Sequence, residues 1–114
     1  MSPSPLEYLQ HIRDEADFLI NATRDVSQPN FMDDEVLKRA CIRSLEIIGE
    51  ASKKLPDDFK AAHSEVEWRA MAGMRDWLIH AYFGVDYDLV WDVLENKIPG
   101  LYRQVEGFIA ELDS

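Results

Sequence analysis

Apolar residues recur at helical spacing along most of the chain, and no period-2 alternation persists anywhere. Leu9, Ile12, Ala16 and Leu19 share one face. Ser4 and Pro5 read as an N-cap and a proline at the first helical position, so a helix is predicted from about Pro5 to Arg24. Residues 25–32, which contain Gln28-Pro29-Asn30, read as a connecting loop. A second long helix is predicted from about Asp33 to Lys54. Leu37, Cys41, Leu45, Ile48 and Leu55 form one apolar stripe on it, and Val36, Ala40, Ile47 and Ala51 form an adjacent one. Together they are wider than a surface helix needs, so this helix is expected to be central in the bundle or to face a second subunit as well. Gly49 inside it costs about 1 kcal/mol relative to Ala, for which close helix–helix contact is the expected compensation. Leu55-Pro56-Asp57-Asp58 ends that helix and starts a short helical turn to about His63.

A further helix is predicted from about Glu67 to Phe83, stopping at Gly84. Asp86 is placed to cap the next, from about Tyr87 to Asn96. Pro99 should break or kink the chain after that helix. Leu101, Val105, Phe108 and Leu112 then mark a last amphipathic helix. The expected fold is all-α, an antiparallel bundle of four to five helices in one domain over residues 1–114.

Composition narrows the function. The 114 residues are enough for one domain with a real core. A single cysteine, Cys41, excludes an internal disulfide and fits a reducing compartment. The N-terminus lacks the basic and apolar regions of a signal peptide, and no apolar run approaches a membrane span, so a cytoplasmic location and no membrane partner are expected. Net charge is −10, from 22 acids against 12 Lys plus Arg. That argues against a protein that coats nucleic acid, because such affinity comes largely from phosphate neutralisation. It leaves room for a small basic cleft holding one or two phosphates, and it suits a basic protein partner.

The densest chemistry lies in Arg75-Asp76-Trp77-Leu78-Ile79-His80-Ala81-Tyr82, an R-x4-H-x-Y pattern late in a helical segment. A phosphate-binding cation, a group that titrates near neutral pH and a phenol then lie within two helical turns, the parts needed to cleave RNA without a metal or other cofactor. Residues four apart share a face, so Asp76 and His80 are expected to meet, with Gly73 and Arg69 continuing the line. An Asp beside a His orients the imidazole and stabilises its protonated form. An ordinary surface Asp–His pair has the same spacing. Arg75 and Tyr82 share another face with Met71, Met74 and Leu78, which also suits a snorkelling Arg and a half-buried core Tyr. Arg75 and His80 stand about 140° apart around a straight helix. Joint action needs a curled Arg, a deformed helix, or two helices brought together by two subunits.

Other candidates are weaker. Asp86, Asp88 and Asp92 read as an N-cap and helix-start acids before they read as metal ligands. His11 and His63 have no partners at metal-ligand spacing, so no metal site is assigned. Trp68, Trp77 and Trp91 suit core or interface positions better than base stacking. Cys41 lies in an apolar stripe and reads as packing.

Beyond the motif, three stretches resemble the HepT-like toxin family, a branch of the HEPN ribonucleases. They are Ile42-Arg43-Ser44-Leu45-Glu46-Ile47-Ile48-Gly49-Glu50-Ala51, then Lys54-Leu55-Pro56, then Val66-Glu67-Trp68-Arg69. Met74-Arg75-Asp76 and Leu78 through Asp86 complete the likeness, and Asp76 fits the polar residue usual after the Arg. The resemblance implies a HEPN-like bundle that dimerises, with the motif helices lining a shared cleft, and it leaves a higher assembly open. It implies the toxin of a prokaryotic toxin–antitoxin system, with Arg75 and His80 as the catalytic pair on an RNA substrate. It also implies a partner, the minimal nucleotidyltransferase antitoxin MntA, which silences the toxin by AMPylation of Tyr82. The expected reaction is attack of the RNA 2′-hydroxyl on its own 3′-phosphate, with His80 moving protons, Asp76 supporting it and Arg75 stabilising phosphoryl charge. The rival reading is a non-catalytic binding or substrate subunit of a nucleotidyltransferase complex.

Overall fold

The computed structural model describes residues 4–81 and 84–113. It contains seven helices and no strand among the described residues: α1 (Pro5–Thr23), α2 (Gln28–Asp33), α3 (Glu35–Lys54), α4 (Asp57–Ala62), α5 (Trp68–His80), α6 (Tyr87–Asn96) and α7 (Ile98–Asp113). The five longer helices are those the hydrophobic period predicts, and the architecture is the expected all-α, HEPN-like bundle. None of the described helices is long and apolar enough to cross a membrane.

Local chemistry sets most of the boundaries. Asp34 Oδ1 accepts from the Leu37 N–H at 2.9 Å, so α3 starts at Glu35, slightly later than its periodicity suggests. Asp86 Oδ1 accepts from the N–H groups of Asp88 and Leu89, as expected of a cap for α6. Pro99 sits in the first turn of α7, where its missing N–H breaks no helical bond. The segment expected to be a loop before Met32 instead contains α2. Ser27 Oγ accepts from the Asn30 N–H, Pro29 occupies the first turn, and Phe31 is fully buried. The Phe31 ring packs against Trp91 at 5.0 Å and edge-on against Tyr87, so tertiary packing makes a helix of turn-forming residues.

α1 packs between α3 and α7, α5 lies against α3, and α6 lies against α7. The core runs through Leu9, Ile12, Leu19, Leu45, Ile48, Ile98 and Val105, all nearly inaccessible. α3 is central, as its width predicts. Its second stripe is divided, however: Ala51 is buried, Ala40 and Ile47 are half-buried, and Val36 is exposed. Leu112, expected on the inner stripe of α7, is exposed in its last turn. Cys41 is buried, and burial pushes its thiol up to about 11, which keeps it a packing residue rather than a nucleophile.

α3 and α5 come close together at Gly49. A Cβ there would collide with Cβ of Arg75 and come within 2.7 Å of the Met71 carbonyl oxygen. The close contact expected to compensate this glycine is therefore present, and Arg75 is the residue it admits.

Candidate active site

α5 ends at His80 rather than running on to Phe83. The Ala81 N–H turns back to the Leu78 carbonyl, and Gly84 has φ 153°, a conformation that L side chains rarely adopt. Tyr82 and Phe83, on which the third part of the motif and the expected helix end fall, lie outside the described residues. Met71 and Leu78 on the inner face of α5 are buried, which fixes the rotation of the helix and turns Arg75 toward α3.

Arg75 is held between two carboxylates. Its Nε lies 2.8 Å from Glu50 Oε2, and its Nη1 donates to Asp76 Oδ1 at 2.9 Å. The Glu50 contact is an ion pair rather than an aligned hydrogen bond, because the buried Oε2 accepts none with good geometry. The hydrogen bond to Asp76, with the nearby Glu50 charge, raises the guanidinium above its ordinary range. The same hydrogen bond holds the Asp76 carboxyl below the usual carboxylate range. Arg75 also lines a cavity of about 410 Å³ between α1, α3 and α5, with Tyr8, His11, Arg43, Glu50 and Lys54 around it.

His80 is exposed and is not among the residues lining that cavity. Its Nδ1 lies 2.7 Å from the backbone carbonyl oxygen of Asp76. A carbonyl oxygen only accepts, so Nδ1 carries the proton and the neutral ring presents a lone pair at Nε2. Spacing pairs the Asp76 carboxylate with His80; the structure instead commits that carboxylate to Arg75 and leaves the main chain to orient the imidazole. The guanidinium offers the stronger, charge-assisted bond and wins the competition. Asp76 thus touches both candidates, one through its side chain and the other through its backbone. Sequence spacing did not single out Glu50. The signal for it was Gly49 beside it, a helix-interior glycine marking where α5 comes near.

Among the described residues, no group of three or more His, Cys, Asp or Glu is placed to hold a metal ion. Asp86 caps α6, Asp88 accepts from Gln28, and Asp92 accepts from Asn96. Trp68 is buried and Trp91 packs on Phe31, whereas Trp77, within the motif, is exposed. His63 stacks between Phe59 and Phe108.

The bundle thus anchors an Arg against a neighbouring helix and presents an imidazole nitrogen five residues on, a cation and a proton-transfer group on one helix. The chain belongs to the HepT-like ribonuclease family, whose model matches residues 7–108. A chain from Caldanaerobacter subterraneus subsp. tengcongensis that bears an RNase name is 50% identical over 93% of this chain and 95% of its own length. One from Thermococcus cleftensis, named a probable ribonuclease HepT, is 45% identical over 93% of this chain and 96% of its own. A third, from Methanocaldococcus jannaschii and also bearing an RNase name, is 40% identical over 94% of this chain and 85% of its own. No solved structure matches the chain.

Proposed function

We propose that this protein is a metal-independent endoribonuclease and the toxin of a toxin–antitoxin pair, with Arg75 and His80 as its catalytic residues. The observation that carries the reading is the joint placement of the two on α5, Arg75 anchored by carboxylates and His80 with Nε2 open, in a member of a ribonuclease family. In the reaction, His80 Nε2 takes the proton from the RNA 2′-hydroxyl as its oxygen attacks the adjacent phosphorus. The bond from phosphorus to the 5′-oxygen breaks, that oxygen leaves with a proton drawn from water, and His80 gives the proton it took up back to the solvent. The products are a 2′,3′-cyclic phosphate and a 5′-hydroxyl. Arg75 neutralises charge building on the phosphoryl oxygens, and a substrate phosphate competes for it with Glu50 and Asp76. Asp76 is a positioning residue for both.

α5 remains regular through His80, so the large angle between Arg75 and His80 persists within one chain. We assign the active unit to a homodimer in which two α5 helices combine their groups. Trp77 and Ile79, large apolar residues within the motif that are exposed, support such a contact. A verified monomer with full activity would sink this assignment.

Tyr82 is proposed as the tyrosine modified by a nucleotidyltransferase antitoxin. An AMP group there would put a phosphate two residues from His80, where it competes with RNA for the site's cations. A Tyr82→Phe variant should fold, cleave and escape this control; continued attachment of AMP to it would remove the assignment.

The deciding experiment incubates partner-free protein with labelled RNA in EDTA beside His80→Ala. Cleavage by the wild type alone, with cyclic-phosphate ends, is the expected result. No cleavage by protein unmodified at Tyr82 would favour the binding-subunit reading, which the net charge of −10 also suits.

A further inference from the structure

A second cavity, of about 390 Å³, is lined by residues of α3, α4 and α5 and does not include Glu50 or Arg75. Its lining includes Lys53 at the end of α3, Lys60 on α4, and Arg69 and Ala72 on α5, with Trp68 beside them and Asp57 as its one carboxylate. Three cations against one acid stand out in a chain of net charge −10. Lys60 is partly engaged, its Nζ lying 3.6 Å from Asp57 and donating to the Lys53 carbonyl at 3.4 Å. Lys53 and Arg69 are exposed and form no ion pair among the described residues. Each therefore keeps its charge available to an incoming anion.

The α5 residues that line the cavity share a helix face with Asp76 and His80. Arg69, Ala72, Asp76 and His80 follow at i, i+3, i+7 and i+11, a span of about 16 Å. Gly73 leaves open space on this side of α5, since even an added Cβ would meet nothing within 4 Å, and the Asp76 carboxylate that lies between the cluster and His80 is engaged by Arg75. The field of the cluster reaches along this face. Asp76, lowered chiefly by Arg75, is lowered further by the charge of Lys53. Trp68 supplies a fixed floor, since it is buried and its Nε1–H donates to the His63 carbonyl at 2.9 Å.

We propose that Lys53, Lys60 and Arg69 form a subsite for the phosphates of single-stranded RNA a few nucleotides from the scissile bond, leading the strand along α5 to His80. The proposal rests on the ribonuclease reading for its substrate, and it accounts for how so acidic a protein holds RNA. The cations are few, but Lys53 and Arg69 form no ion pair among the described residues, and Arg69 lies on the α5 face that carries His80.

The test uses full-length protein carrying Lys53→Ala with Arg69→Ala. Arg103→Ala, an exposed cation on α7 away from both cavities, is the control. Binding of a fluorescent RNA of about ten nucleotides is measured in the His80→Ala background, where cleavage cannot interfere. The double variant should bind about tenfold more weakly, and its slope of log affinity against log salt should flatten by about 1.4, two phosphate contacts on a single strand. In the cleaving background, KM for that RNA should rise more than KM for a dinucleotide, which is too short to reach the subsite. Unchanged affinity and salt slope would overturn the proposal whether or not the wild type cleaves RNA. Tighter binding of polyglutamate than of RNA would overturn it in favour of an acidic protein segment. Failure of the wild type to cleave any RNA would overturn the ribonuclease reading alone, because the binding measurement judges the subsite separately.

Discussion

Arg75 and His80 belong to one helix and one motif, yet the fold holds them in opposite ways. Arg75 depends on another helix: Gly49 lets α3 come close, and Glu50 from α3 together with Asp76 brackets the guanidinium. His80 depends only on its own helix, through a single bond from Nδ1 to the carbonyl four residues back. A cation that must stay aimed while phosphate exchanges with carboxylate benefits from tertiary anchoring. In the proposed reaction the imidazole gains and loses a proton, which exposure and one fixed nitrogen favour. A sequence motif can thus be contiguous while its members answer to different parts of the structure.

The most severe challenge to this contrast is His80→Ala. It should cut RNA cleavage by about 10²–10⁴-fold while leaving the thermal midpoint nearly unchanged, since the side chain is exposed. A large loss of stability would show that His80 is structural after all.

Gly49→Ala should do the reverse, damaging the fold first. The new methyl meets Arg75 Cβ and the backbone of α5, and overpacking of this kind costs about 1–3 kcal/mol. Denaturant unfolding should show it, with cleavage falling because Arg75 moves. An equally stable variant with full activity would mean that the α3–α5 contact is loose.

Glu50→Gln isolates the anchor without the steric change. A loss of less than about tenfold in cleavage is expected, because Asp76 still holds one edge of the guanidinium. Glu50→Ala should lose more, and partial recovery with Gln would mark a positioning role that bulk alone does not supply.

The smallest effect concerns pH. Asp76 titrates below its ordinary value of 3.8 in the folded protein, so its pairing stabilises the fold fully above that value. That contribution is lost as pH falls through the lowered folded value. The stability difference between wild type and Asp76→Asn should therefore be constant between about pH 5 and 8 and shrink in acid. A difference that grows with acid would reverse the assigned direction.

The helical class, the five longer helices, the Asp86 cap and the close contact at Gly49 were all legible in the amino-acid order alone. These are short-range matters of period, capping and steric allowance, and residues a few positions apart settle them. Arg75 and His80 were legible too, because both lie on α5. Other features came from long-range packing. Phe31 needed Trp91 and Tyr87, distant in the chain, before the Gln28-Pro29-Asn30 segment became a helix. The choice of the Asp76 carboxylate between Arg75 and His80, and the entry of Glu50, depended on side-chain directions that spacing does not encode. The joining of Lys53, Lys60 and Arg69 into one basic cavity needed three separate helices folded together. Charge and hydrogen-bond partners are chosen across space by distance and orientation, and only the folded chain supplies either.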